Sequence, residues 1–137
     1  MALELMRKRT RLPLETLENA IAGNVSLNNT GNFFDGPSVS LTPGTWLLTG
    51  GVGLIDTAGG ADFIAKLWDG TTVESSGQVT TSAANHTDGI ALSGIVTVTT
   101  TTAWKISAQD ATSTSGLIRA AWGQGNNASY LRAVRIG

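Results

Sequence analysis

The feature that most constrains the fold of this chain is residues 39–55, which read as a short strand, a Pro43-Gly44 turn and a longer strand that carries Trp46. Proline sets φ near the value that the second position of a turn requires, and glycine accepts the conformation that must follow. The flanking residues are β-branched, aromatic or small, which suits a pleated, half-buried surface. The segment therefore predicts a protein rich in β-strands.

The rest of the chain repeats this pattern of short strand-like runs separated by turn residues. Asp69-Gly70 is the strongest local signal, because Asp-Gly between two such runs favours a two-residue hairpin turn in which both residues have positive φ. Turns at short intervals are typical of a sandwich or a jelly roll and not of βαβ units. The predicted strands cover residues 25–27, 33–34, 38–41, 45–55, 61–68, 71–80, 89–100, 103–109, 116–123 and 128–136.

Composition limits the size and the partners of this β protein. The chain has 137 residues, enough for one domain with a core and too few for two ordinary ones. Charged residues make up 14%, against roughly 25% in soluble domains. A net charge of -1 gives no reason to expect a nucleic-acid partner. No apolar run reaches the roughly 18 residues of a membrane span, so membrane insertion is not expected, and the absence of cysteine excludes disulfides.

Residues 1–23 differ from the rest and are predicted to form an N-terminal arm that ends in a short helix. Pro13 and Gly23 are the residue types expected at the start and just past the end of a helix over residues 14–22. About nine residues are too few for a helix that is stable alone in water, so it must dock on its own β domain or on another protein. The apolar face of this helix consists of Leu14, Leu17 and Ile21.

The arm also carries four of the nine basic residues of the chain. They are Arg7, Lys8, Arg9 and Arg11. One interpretation is a solvated terminus. The other is an anchor to a partner, with the apolar helix face completing the contact.

Residues 24–137 are predicted to form the β domain, and its strands have two unequal faces. In residues 45–55, Trp46 and Leu48 share one face, while Leu47 lies on the other beside threonine and glycine. Residues 89–100 and 128–136 show the same pattern, with one strongly apolar face and one mildly apolar face. A free-standing antiparallel sandwich is normally more polar outside. The pattern therefore favours an oligomer that buries part of the second face.

Few residues could carry catalysis or hold a metal, and we expect neither enzyme activity nor a cofactor. The single histidine, His86, lies in a polar loop, and no Gly-x-Ser-x-Gly motif accompanies it. One histidine without cysteine cannot provide a usual zinc site. The aspartates lie mostly at the ends of predicted strands, where aspartate side chains commonly accept hydrogen bonds from backbone amides. The alternative is a calcium site formed by aspartates of two loops, but the sequence contains no dedicated calcium-binding motif. The glycine cluster at residues 50–53 lacks a following helix, so it predicts close backbone approach within a sheet.

The four tryptophans allow two interpretations, packing or stacking on sugar rings. Trp46 and Trp104 lie beside aliphatic neighbours and are expected to pack in the core or at a subunit interface. Trp68 lies next to the Asp69-Gly70 turn, and Trp122 lies next to a loop of glycine and asparagine. For these two, packing and ligand binding are equally compatible with the sequence.

Three short segments resemble a known class of proteins. They are residues 27–41 with Leu-Asn-Asn-Thr and Phe-Asp-Gly-Pro-Ser-Val-Ser-Leu, the Pro-Gly-Thr-Trp turn at residues 43–46, and the ending at residues 127–136. Together they resemble small structural proteins of tailed bacteriophages with a C1q/TNF-like jelly-roll domain. The resemblance covers roughly residues 24–137.

The resemblance implies an antiparallel jelly-roll sandwich that forms a homotrimer around a threefold axis, with no catalytic residues. A short basic arm favours a protein that docks on a preformed lattice. The leading hypothesis is therefore a non-enzymatic capsid decoration or head-attached protein, made in the bacterial host cytoplasm and displayed on the virion surface, with a major capsid protein or other virion protein as its partner. The alternative is a receptor- or glycan-binding tip of a tail fibre, which would contact a host surface glycan through loops near Trp68 or Trp122.

Overall fold

The computed structural model describes residues 14–121 and 127–137, and these residues form ten β-strands and no helix. The predicted anchor residues Arg7, Lys8, Arg9 and Arg11 and the predicted ligand-loop residue Trp122 lie outside the described residues. The strands are β1 (Thr16–Ala20), β2 (Val25–Leu27), β3 (Phe34–Leu41), β4 (Gly44–Asp56), β5 (Asp62–Trp68), β6 (Val73–Thr80), β7 (Asp88–Val98), β8 (Thr102–Asp110), β9 (Gly116–Arg119) and β10 (Tyr130–Arg135).

The strands pair into two antiparallel sheets that pack face to face. The four-stranded sheet has the order β3-β8-β5-β6. The six-stranded sheet has the order β1-β10-β4-β9-β2, with β7 also paired to β4. Strand β4 is therefore central: β7 runs along one side of it, and β10 and β9 follow each other along the other side. These pairings between sequence-distant strands build the all-β sandwich that the sequence predicts.

The core lies between the two sheets and is filled by alternate residues of each strand. Strand β4 contributes Trp46, Leu48 and Leu54, all fully buried, and β5 of the other sheet contributes Phe63 and Leu67. Burial of these side chains follows the period of two that strands impose. The burial of Trp46 and Trp104 agrees with their expected packing role.

The predicted helix over residues 14–22 is wrong, because residues Thr16–Ala20 form the edge strand β1. This strand pairs with β10 from Thr16 opposite Val134 to Ala20 opposite Tyr130. A nine-residue helix would have to rely on docking alone, whereas the strand satisfies its backbone groups along an existing sheet edge. Residues 16–20 are thus part of the six-stranded sheet.

The hairpin at Asp69-Gly70 is present, but its turn differs from the prediction. Trp68 pairs with Val73, so four residues form the loop in place of two. Gly70 has φ of 97°, while Asp69 keeps a negative φ and its Oδ1 accepts hydrogen bonds from the backbone N–H groups of Thr71 and Thr72. The aspartate side chain stabilises the wider turn by bonding backbone amides, as aspartates in turns commonly do.

Close backbone approach at the glycine cluster of β4 is confirmed at Gly50. This residue lies opposite Leu131 in β10 and faces the core. A Cβ added here would collide with the backbone oxygen of Tyr130 and would meet Cδ1 of Ile106 at 3.0 Å. Glycine is therefore required for β10 to lie this close to β4.

We expect Gly50→Ala to lower the free energy of unfolding by about 1–3 kcal/mol, because the added methyl group overpacks the contact between β4, β10 and the core. Gly59→Ala is the matched control, since a Cβ at Gly59 meets no atom within 4 Å. Urea denaturation of both variants at one fixed protein concentration measures the difference. Equal stability of the two variants would contradict the close approach at Gly50.

Candidate association face

The outer face of the six-stranded sheet collects most of the large apolar side chains that the described residues expose. Six large apolar residues are exposed in those ranges: Leu14, Leu47, Val73, Ile95, Tyr130 and Ile136. Four of them belong to this face or continue it, because Leu47 lies on β4, Ile95 on β7, Tyr130 on β10, and Ile136 directly follows β10. Clustering on one face distinguishes them from scattered surface hydrophobes, which need no explanation.

Strand register places these residues in two rows across the sheet, separated by the row of Thr49, Arg132 and Ser93. Leu47 lies between Val134 of β10 and Ile95 of β7, so three aliphatic side chains form one row. Directly opposed residues in an antiparallel pair have Cβ atoms roughly 5 Å apart and contact each other. We call the outer-facing residues of β4, β7 and β10, from Leu47 to Gly51 with their partners in register, the association face.

A second row of the association face is built mainly from small residues. Gly51 of β4 lies between Tyr130 of β10 and Ala91 of β7. Beside Tyr130 the surface has a shallow depression of about 270 Å³ that Gly51, Gly89 and Ala91 help to line. Tyr130 itself lines the depression, so a partner surface that fills it would contact an aromatic ring, the kind of residue that interfaces favour.

Polar residues lie between and beside the apolar rows and are paired within the chain. Arg132 contacts Glu18 of β1 at 3.2 Å, and both side chains are about half exposed. The hydroxyls of Thr45 and Thr97 are 2.9 Å apart. Because these groups already have partners, the association face offers no cluster of unpaired charge that would have to be desolvated when another surface covers it.

The outer face of the four-stranded sheet is polar by comparison. Asp35 of β3 accepts hydrogen bonds from Lys105 at 2.7 Å and from Ser107 at 2.8 Å. Burial opposes ionisation of Asp35, but these hydrogen bonds and the charge of Lys105 outweigh it and hold its pKa below the usual value. The two sheets therefore present chemically different surfaces.

Trp68, a predicted ligand-loop residue, lies on this polar face and is half-buried. Its Nε1 donates to Ser107 at 2.8 Å, and the Nζ of Lys66 lies 3.5 Å from its ring centroid. The same Nζ lies 3.9 Å from the ring centroid of Phe33. A sugar stacking on this side of Trp68 would have to displace a cation–π contact. Ligand binding at Trp68 stays a prediction.

The three apolar residues of the predicted anchor do not share one exposed surface. Leu14 precedes β1 and is 65% exposed. Leu17 and Ile21 are partly buried and pack against the sandwich core. The strand directs Leu17 toward the interior, so this side chain stabilises the fold of its own chain.

The single histidine of the chain, His86, lies apart from any set of metal-ligating side chains in the described residues. His86 is exposed in the loop before β7, where its backbone N–H donates to the oxygen of Ala83. Within residues 14–121 and 127–137, no group of three or more histidines and carboxylates could hold a metal ion. In the same ranges, no helix has the length and apolar character needed to cross a membrane.

Two aspartates that the sequence treats as separate turn residues meet at one end of the sandwich. Asp56 ends β4 and Asp110 ends β8, and both are buried. Asp56 accepts hydrogen bonds from the N–H groups of Ala58 and Gly59 and from the hydroxyl of Ser113. Only the pairing of distant strands brings the two carboxyls together, so spacing along the chain gives no signal of this contact.

The environments of the two carboxyls shift their pKa values in opposite directions. Burial opposes ionisation of Asp56, but its hydrogen bonds outweigh burial and hold its pKa below the usual value. Burial raises the pKa of Asp110, and the neighbouring Asp56 carboxylate raises it further. Oδ2 of Asp110 is buried without a hydrogen-bond partner in the described part of the chain. Of the two carboxyls, Asp110 is therefore the one that takes up a proton first as the pH falls.

No family model matches the sequence, and no curated protein matches it. The structure is nevertheless similar to solved structures. Murine APRIL, crystallised at pH 8.0, is 12% identical with a TM-score of 0.56, over 90% of this chain and 100% of the APRIL chain. The pH 5.0 crystal structure of murine APRIL gives a TM-score of 0.54 over the same shares, also at 12% identity. Eiger TNF from S. frugiperda is 7% identical with a TM-score of 0.48, over 92% of this chain and 94% of that chain.

At this low identity the similarity to APRIL concerns the fold alone. It confirms the C1q/TNF-like jelly roll that the sequence predicts.

We expect Asp110→Asn to raise the free energy of unfolding at pH 7 by about 1 kcal/mol, because the amide donates where a buried carboxyl oxygen has no partner. The raised pKa of Asp110 means that its contribution to stability is full below the unfolded-state pKa and is lost as pH rises through the folded-state pKa. The gain should therefore shrink as the pH falls toward 4. Denaturation at several pH values measures it, with Asp62→Asn, an exposed aspartate on β5, as the control.

A gain that is independent of pH, or one that grows as the pH falls, would contradict this account of the Asp56–Asp110 pair.

Proposed function

We propose that this protein is a non-enzymatic structural protein that assembles as a homotrimer through the association face and serves on a virion surface as a capsid decoration or head-attached protein. The observation that carries the proposal is the row of Leu47, Ile95 and Val134 on the outside of the six-stranded sheet. Leaving these side chains in water costs roughly 25 cal/mol for each Å² of apolar surface that a partner would cover.

A second copy of the chain is the occupant that best fits this face. Interface cores are depleted in charge and enriched in aromatic and aliphatic residues, with polar residues at the rim. The association face has the aromatic and aliphatic part of this composition, with Tyr130 and the aliphatic row on either side of Arg132, whose charge is paired with Glu18 of β1. A homotrimer closes all such contacts in a ring and leaves none open. Three copies are also what the sequence resemblance implies.

The virion role rests on the sequence segments that resemble phage structural proteins. The segment at residues 34–41 forms β3, the segment at residues 43–46 forms the turn into β4 and its first residues, and the segment at residues 127–136 contains β10. The segments thus lie within the framework of the fold and beside the association face. We assign docking on the virion to residues 1–13, which hold four basic residues and precede the strand β1.

We expect Ile95→Asp to dissociate the trimer, because it places a charge in the apolar row and would bury that charge in the assembly. Val73→Asp is the matched control: Val73 is 47% exposed and Ile95 57% exposed, but Val73 lies on β6, outside the association face. Light scattering coupled to size exclusion at micromolar protein should give the trimer mass for the control and the monomer mass for Ile95→Asp. Trimers of equal stability in both variants would contradict the assignment of the face.

We expect deletion of residues 1–13 to abolish binding to undecorated virus particles while leaving the trimer intact, because the deletion keeps β1 in the sheet. Sedimentation of the particles with added protein measures binding. A charge-matched variant in which Arg7, Lys8, Arg9 and Arg11 become glutamine separates the basic residues from the rest of the arm. Undiminished binding by the shortened protein would contradict the docking role without affecting the account of the trimer.

A further inference from the structure

The chain contains three Asp-Gly dipeptides, and the fold places them in different surroundings. They are Asp35-Gly36 in β3, Asp69-Gly70 in the turn between β5 and β6, and Asp88-Gly89 at the start of β7. In such a dipeptide the backbone nitrogen of the glycine can attack the carboxyl of the aspartate before it, because glycine has no Cβ to hinder the approach. The two residues are the same each time, so local structure determines which dipeptide reacts.

At Asp88-Gly89 the attacking nitrogen and the carboxyl already lie together. The backbone N–H of Gly89 donates to Oδ1 of Asp88 at 2.8 Å, and Cγ, the carbon that the nitrogen would attack, is bonded directly to this oxygen. Reacting atoms held about 3–3.5 Å apart are close to the geometry of reaction. In the described part of the chain this is the only hydrogen bond of the Asp88 carboxyl, so no other contact holds the carboxyl away from Gly89.

The backbone around Gly89 has room for ring closure. Gly89 is exposed, and among the described strands β7 pairs with β4 alone, so it forms an edge of the six-stranded sheet. A Cβ added at Gly89 would meet one atom, the backbone oxygen of Val52, at the ordinary contact distance of 3.5 Å. Asp88 is the first residue of β7. The ends of edge strands open at a small free-energy cost, so the reaction does not require the sandwich to unfold.

The carboxyl of Asp69 is held by other contacts. Its Oδ1 accepts hydrogen bonds from the backbone N–H groups of Thr71 at 2.8 Å and Thr72 at 2.6 Å. The hydrogen bonds from Thr72 and Thr71 keep the pKa of Asp69 below its usual value. Ring closure expels one carboxyl oxygen as water and therefore uses the protonated carboxyl, whose population a lowered pKa reduces. Asp69-Gly70 is thus a poor site for this reaction, although its turn is exposed.

The dipeptide Asp35-Gly36 is restrained at both of its residues. The carboxyl of Asp35 accepts hydrogen bonds from Lys105 at 2.7 Å and Ser107 at 2.8 Å, and although burial opposes its ionisation, these contacts hold its pKa below the usual value. A Cβ added at Gly36 would lie 2.9 Å from the backbone oxygen of Ile106. The backbone of Gly36 is therefore packed against β8 and has little room to move toward the Asp35 carboxyl.

We propose that Asp88 is a modification site, where the backbone nitrogen of Gly89 closes a succinimide ring that water opens to isoaspartate. The nitrogen loses its proton and forms a bond to Cγ of Asp88, while one carboxyl oxygen leaves as water. A second water then opens the ring. Cleavage between the nitrogen and the main-chain carbonyl carbon of Asp88 gives isoaspartate, and cleavage between the nitrogen and Cγ restores aspartate. One water is released and one is consumed, so the reaction needs no other reactant.

Isoaspartate at residue 88 adds one atom to the backbone where β7 begins. The added atom lies at the residue that pairs with Leu54 of β4, and it precedes Gly89, which lines the depression beside Tyr130. The modification therefore changes the edge of this depression as the protein ages. The inference goes beyond the proposed self-association and does not depend on it.

The test is to age the full chain at 37 °C and pH 7 for several weeks in heavy-oxygen water and to map its peptides by mass spectrometry. Trypsin and a glutamyl endopeptidase leave each Asp-Gly dipeptide on its own peptide, because cleavage after Lys66, Glu74 and Lys105 separates them. Electron-based fragmentation distinguishes isoaspartate from aspartate, and every ring opening adds one heavy oxygen. We expect isoaspartate to accumulate at residue 88 about tenfold faster than at residue 35 or residue 69.

The same chain unfolded in guanidinium chloride is the control for effects of sequence. There the three dipeptides should react at comparable rates, because the contacts that distinguish them are lost. In the folded protein, Gly89→Ala should slow the reaction at residue 88 about tenfold, because a Cβ hinders the nitrogen. Gly59→Ala should leave the rate unchanged, and circular dichroism checks that both variants keep their sheets.

Three results would overturn the proposal. One is equal rates at the three dipeptides in the folded protein, and another is isoaspartate at residue 88 only after unfolding. The third is an undiminished rate in folded Gly89→Ala.

Discussion

The whole structure depends on the pairing of β4 along both of its edges. This strand of 13 residues pairs with β7 on one side and with β10 and β9 in succession on the other. Because side chains alternate across a sheet, a slip of one residue would move Trp46 and Leu48 out of the core. Gly50 allows the β10 backbone to approach closely enough to hold this register. The positions of the other five strands of the six-stranded sheet follow from it directly or through one neighbour.

The same register determines the surface on which the proposed function depends. When Trp46 and Leu48 face inward, Leu47 must face outward, and pairing places Ile95 and Val134 on either side of it. The apolar row is therefore a direct consequence of how the central strand is built. The four-stranded sheet carries the Asp35–Lys105 ion pair and hydroxyl groups on its outer face. An all-β sandwich with one apolar outer surface is physically suited to bury that surface against copies of itself.

The period of two in β4, β7 and β10 was sufficient to predict the strands and the unequal faces, because local alternation and burial agree there. The prediction of a helix over residues 14–22 was wrong because the spacing of Leu17 and Ile21 fits one face of a helix as well. The strand forms because its backbone pairs with β10, where Glu18 lies opposite Arg132, 114 residues further along the chain. Contacts between loops that are distant in sequence could not be predicted either, because they too depend on which strands pair. The buried aspartate pair does not follow from spacing along the chain.

The most direct test of the central claim is the mass of the unmodified protein in solution, measured by sedimentation equilibrium from about 1 to 100 µM. An association face that buries its apolar row between copies predicts a species of three times the 14.2 kDa chain mass, with dissociation only at the lowest concentrations. A single species of 14.2 kDa across the whole range would contradict the account, because the apolar row would then be stable in water without a partner.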